Sequence, residues 1–110
     1  MSERLVVVVL VSGPDRETLA NLARTVVDER LAACVNVHGD VRSIYRWEGQ
    51  IKHESEALAL FKTSRDRVEA LEARVRALHP YTEPEFLALE VKTGSRTYID
   101  WVIDSVTGEQ

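Results

Sequence analysis

Apolar positions follow two different periods along the chain, and the switches between them outline its elements. Leu5-Val-Val-Val-Val-Leu-Val11 is apolar at every position and rich in β-branched residues, the pattern of a strand buried on both faces. Gly13-Pro14 ends it and opens a helix, with Asp15 and Glu17 near the positive end of the helix dipole. Leu19, Leu22, Ala23, Val26 and Val27 then recur at helical spacing and predict a single apolar stripe. Leu31 to Val37 and Val41 to Trp47 read as β-structure, and Gln50 to Thr63 as the strand that follows them. Glu48-Gly49 between the last two marks a tight turn, so these segments form a β-hairpin. Its arms exceed the usual five or six residues of a strand, so the tip should project past its own domain.

Thr63-Ser64-Arg65-Asp66 has the form of a capping box, with Asp in the place usually held by Glu or Gln. It leads into a helix with the stripe Val68, Leu71, Val75 and Leu78, which Pro80 stops. Glu85 to Val91 reads as a fourth strand, and Ser95 caps a short last helix containing Tyr98, Ile99, Trp101, Val102 and Ile103. The order β-α-β-β-α-β-α predicts an α+β, ferredoxin-like split βαβ fold with one extra C-terminal helix. The two main helices cover one sheet face, yet strands 1 and 4 are apolar on both. The other face needs a cover, and a closed homo-oligomer is the common solution.

With 110 residues and no linker composition, residues 1–110 read as a single domain. A net charge of −4 opposes a nucleic-acid role, because phosphate binding calls for the other sign. The N-terminal apolar run is too short to span a bilayer and lacks a signal-type cleavage site, so no membrane association is expected. Cys34 is the sole cysteine, which fits a reducing compartment, and a cytoplasmic location is expected.

Leu31-Ala-Ala-Cys-Val-Asn, Ser43-Ile-Tyr-Arg-Trp-Glu-Gly49, Lys62-Thr63, His79-Pro-Tyr-Thr-Glu-Pro-Glu85, and Tyr98 with Trp101 run in one order over nearly the whole chain. In these blocks the sequence resembles the CutA divalent-ion tolerance family. The resemblance implies a ferredoxin-like homotrimer with the architecture of PII signal proteins and a role in tolerance of copper and other divalent cations. It requires no cofactor, and a divalent cation such as copper is the candidate ion. Family members have a first-strand cysteine and a histidine pair before Pro-Tyr as proposed copper ligands. Here Val11 and Leu78 stand at two of those positions, and only His79 matches. The competing reading of His79 is a histidine that hydrogen-bonds at a helix C-terminus.

Lys62, Tyr81, Glu85 and Tyr98, with Arg46, are the candidate lining of an intersubunit cleft for a small polar or anionic ligand. Tyr45, Trp47 and Trp101 are candidate trimer-interface residues, since such aromatics are enriched at protein contacts. Cys34 reads as a buried structural thiol. Glu54 and Glu56 share a strand face, either as solvated charge or as carboxylates for a hard cation across subunits. No motif of nucleophilic or nucleotide chemistry is present, so the chain reads as a non-enzyme with no catalytic residue. The alternatives are a PII-like signalling module that binds a small ligand between subunits, and a small hydrolase with a composite site.

Overall fold

The computed structural model describes residues 5–108. β1 (Val6–Gly13), α1 (Arg16–Asp28), β2 (Cys34–Trp47), β3 (Gln50–Ser64), α2 (Val68–Leu78), β4 (Leu87–Glu90) and α3 (Arg96–Thr107) follow in the expected order, with a 3-10 turn over Arg65–Arg67 before α2. The four strands form one antiparallel sheet in the order β2-β3-β1-β4, the ferredoxin-like arrangement.

Alternation along β1 sorts its side chains between two layers. Val7, Val9 and Val11 pair with Thr63, Phe61 and Ala59 and are sealed by Leu19, Leu22 and Val26 of α1 and Leu71 and Val75 of α2. Asp15 caps α1, accepting the Thr18 N–H at 2.8 Å, and that bond holds its carboxyl below the ordinary range. Val8 and Leu10 point the other way, beside Leu60 of β3 and Leu87 and Leu89 of β4.

This second face is not bare along its whole length. Val102, Ile103 and Val106 of α3 close over Val6 and Ala33, so the last helix covers the end of the face where β1 begins. Arg30, in the left-handed region at φ 59, ties α3 down by donating to the Ser105 carbonyl at 2.8 Å. Among the described residues nothing covers the rest of the face, from Val8 to Leu10 and across Leu58, Leu60, Leu87 and Leu89. Leu87 and Leu89 are more than half exposed.

The hairpin arms are as long as expected, 14 and 15 residues. β1 ends opposite Ala57, so Val41–Trp47 and Gln50–Glu56 run on beyond it for about 23 Å at strand rise. The molecule accordingly measures 46 Å along its longest axis and 26 and 22 Å along the others.

Other details differ from expectation. The two segments before the hairpin turn are one strand, and Gly39 and Asp40 form a bulge opposite Ala57 where the overhang begins. The bulge lets Asn36 and His38 share a face with Val41, Ser43, Tyr45 and Trp47 despite their opposite parity. The capping box is not formed: Thr63 remains in β3 and donates to the Leu31 carbonyl at 2.8 Å, while the Ser64 hydroxyl binds the Asp66 carboxylate. Val27 and Leu78, the outer members of their stripes, stand at exposed rims. β4 spans only Leu87–Glu90, because Phe86 leaves the ladder to pack against the helix-side core.

Candidate functional site

Two groups of polar and aromatic side chains lie at opposite ends of the uncovered face. At the α3 end, Cys34 pairs with Lys62 across the β2–β3 ladder. Lys62 donates to the Asn36 side-chain carbonyl, and the Cys34 sulfur lies 3.5 Å from the Tyr98 hydroxyl. That hydrogen bond, with burial second, raises the Tyr98 phenol above its ordinary range. Tyr98 also stacks on Trp101, ring centroids 5.6 Å apart. This corner presents an ammonium, a phenol and two aromatic surfaces on a half-open surface.

At the other end His79 leaves α2 as its C-terminal cap, its N–H bonded to the Val75 carbonyl. Its ring is buried and held at both nitrogens. Nδ1 accepts the Tyr81 N–H at 3.0 Å, which leaves Nε2 as the donor to the Ser12 carbonyl at 2.7 Å. The Tyr81 ring packs on His79 at 4.7 Å, and its hydroxyl donates to the Glu56 carboxylate at 2.6 Å. Burial, and then the bond to Glu56, pushes the Tyr81 phenol well above its usual range. Tyr45 is raised as well, chiefly by its hydrogen bond to Glu54. Glu54 and Glu56 do share a face, but Glu56 is buried against Tyr81 and is not solvated charge. Sequence reasoning placed this pair on one strand face but missed its tyrosine partners, because Tyr81 reaches Glu56 over 25 residues of separation.

The four predicted cleft residues therefore do not converge within one chain. Lys62 and Tyr98 meet at Cys34, whereas Tyr81 lies at Glu56, six residues away along β3 or about 20 Å. Glu85 is half-buried in the loop after α2. Tyr45 and Trp47 project from the overhang and Trp101 from α3, all exposed in the single chain. Cys34 is part-exposed and bonded to Tyr98, so it is less deeply packed than expected.

The residues at His79 do not suit a copper ion within one chain. Both ring nitrogens are committed to backbone groups, the neighbouring ligand positions are Val11 and Leu78, and no group of three His, Cys, Asp or Glu gathers among the described residues. An ion would have to displace Tyr81 or Ser12 to reach the imidazole.

The family model described as CutA1 divalent ion tolerance protein matches residues 7–105. The chain belongs to this family. It is 46% identical over 95 residues to the divalent-cation tolerance protein CutA of Thermus thermophilus, covering 86% of this chain and 92% of that protein. The chloroplastic CutA of Arabidopsis thaliana is 41% identical over 99 residues, and there the chain spans 90% of itself and 54% of its relative. It likewise spans about half of the rice and mouse CutA proteins. The Thermus CutA1 structure superposes with a TM-score of 0.88 at 44% identity, covering 91% and 97% of the two chains. CutA1 from Oryza sativa gives 0.90 at 36% identity and 96% of each. CutA relatives are named from more than one compartment, chloroplastic in plants and periplasmic in Archaeoglobus fulgidus. No helix among the described residues is long and apolar enough to cross a membrane.

Proposed function

We propose that this CutA-family chain serves divalent-cation tolerance as a non-catalytic homotrimer whose ligand-facing groups lie in clefts between subunits. The observation that carries this reading is the uncovered strip Val8, Leu10, Leu58, Leu60, Leu87 and Leu89, bounded by Lys62 with Tyr98 at one end and Glu56 with Tyr81 at the other. A face of this size and apolarity is covered by another molecule. Once copies pack on it, the Lys62 end of one faces the Tyr81 and Glu85 end of the next, and the split set becomes one site. Copper contact in this arrangement is weak and draws on cleft carboxylates, since His79 is held by the backbone. The sole cysteine, Cys34, suits the reducing environment of the cytoplasm.

Lys62 and Tyr98 also favour a second reading, a PII-like module, because an ammonium beside a phenol suits an anionic small molecule. Native mass spectrometry of the untagged protein, as purified and with a modest excess of Cu(II), separates the two. Copper adducts in steps of three on a trimer, unaffected by His79→Ala but lost on Glu85→Ala, support the first. A trimer that stays metal-free and carries an organic mass supports the second, and a monomer contradicts both.

A further inference from the structure

Lys62 is a cation that its own chain does not neutralise. It is half-buried, pairs with Cys34 on β2 and Val8 on β1, and follows Leu60 on the same face of β3. Its ammonium donates to the neutral side chain of Asn36, and no Asp or Glu among the described residues lies within ion-pair distance of it. Carboxylates on the adjoining segments are engaged, Asp66 by the Ser64 hydroxyl and Glu90 by Arg65 at 3.3 Å. A charge among apolar neighbours is costly to leave alone, so an ammonium placed there calls for an anion.

Beside the ammonium, α3 presents aromatic surface. Tyr98 and Trp101 are 46% and 44% exposed, and their rings lie together with centroids 5.6 Å apart and planes tilted by 35°. The Tyr98 hydroxyl meets the Cys34 sulfur at 3.5 Å, a weak acceptor, and can donate instead to a stronger one that enters. Lys62 and Tyr98 thus both adjoin Cys34, which sets a point charge and a hydroxyl at the edge of two ring faces. A polyphosphate asks for several cations or a cradle of backbone N–H groups. The residues around Lys62 on the sheet are Cys34, Asn36, Leu60 and Val8, and they add no second positive charge. An aliphatic acid would satisfy the ammonium and leave the rings unused.

We propose that this corner binds a planar aromatic carboxylate with a single negative charge, held by Lys62 and the Tyr98 hydroxyl, its ring against Trp101. Charge-assisted bonds fix the carboxylate, and ring contact adds stacking that an aliphatic chain lacks. The assignment rests on the reading of the chain as a small-ligand module and deepens it by naming the class of ligand.

Titration of the intact protein with benzoate, benzamide and inorganic triphosphate, followed by tryptophan emission and thermal midpoint, tests it. Benzoate should saturate with a Kd of about 1 mM or tighter, within reach of so small a ligand, and raise the midpoint. Benzamide keeps the ring without the charge and triphosphate the charge without the ring, so each should bind at least tenfold more weakly. Lys62→Gln, which keeps a donor for Asn36, should weaken benzoate at least tenfold while circular dichroism and mass in solution stay unchanged. Benzamide or triphosphate binding as tightly as benzoate, or a Lys62→Gln variant that binds benzoate like the parent, overturns the proposal. If the parent ignores benzoate but binds triphosphate, or carries a co-purified organic mass that is not an aromatic acid, the module reading stands and the aromatic-acid assignment falls. If it binds no probe and carries no organic mass, both fall.

Discussion

Replacing His79 by Ala separates the two roles open to that residue. The substitution removes a ring that is 7% exposed and leaves the Ser12 carbonyl and the Tyr81 N–H without their partners at 2.7 and 3.0 Å. Each such hydrogen bond contributes about 1 kcal/mol net, and a buried group left unpaired costs about 1–3 kcal/mol. Water entering the vacated space recovers part of this, so a loss of about 2–4 kcal/mol is expected. With a urea slope of about 2 kcal/mol per molar for a domain of this size, the midpoint should fall by about 1–2 M. Urea unfolding of both proteins at one protomer concentration, followed by circular dichroism, measures it. Copper uptake, read in parallel, should be unchanged. A midpoint shift below about 0.3 M together with a loss of copper uptake would refute the reasoning and return His79 to the role of metal ligand.

Tyr81→Phe removes the hydroxyl that donates to the buried Glu56 carboxylate and should cost about 1–3 kcal/mol by the same unfolding assay. Because the Tyr81 phenol is raised in the folded state, its contribution is complete below the ordinary value of 10.0 and fades as pH rises above it. Stability measured between pH 9 and 11 should therefore decline less steeply in Tyr81→Phe than in the parent. At Arg30, Ala loses the bond to the Ser105 carbonyl and keeps the left-handed backbone, whereas Gly relieves a conformation that costs about 1 kcal/mol. Thermal melts should rank Arg30→Gly above Arg30→Ala. Gly13→Ala places a methyl 2.7 Å from Leu19 in the core and should cost about 1–3 kcal/mol, while Gly39→Ala meets the flexible Arg16 side chain, which swings out at little cost.

The elements that could be read from the sequence are those whose signals are local. Leu5–Val11, the Leu19-to-Val26 stripe and the Glu48-Gly49 turn each depend on residues a few positions apart, and all formed close to where they were expected. The bulge escaped notice because Gly39 and Asp40 carry no pattern of their own. It becomes visible only when Val41 is paired with Glu56 and His38 with Leu58. Thr63 has the look of a cap, but its hydroxyl is claimed by the Leu31 carbonyl, a contact 32 residues away that overrides the local motif. The candidate site residues were picked out through their family blocks, whereas their division into two ends follows from where Lys62 and Glu56 fall along a single long strand. The partners of His79 were invisible because both are backbone groups, which have no residue identity to read.

The uncovered sheet face is the centre of this account, and the mass of the untagged protein in solution tests it most directly. Sedimentation equilibrium at micromolar concentration should give three times the chain mass of 12.4 kDa, and Leu89→Lys, which places a charge on that face at its β4 edge beside Val8, should lower the mass without loss of secondary structure. A monomer in the parent protein, or a Leu89→Lys trimer as tight as the parent, would contradict it.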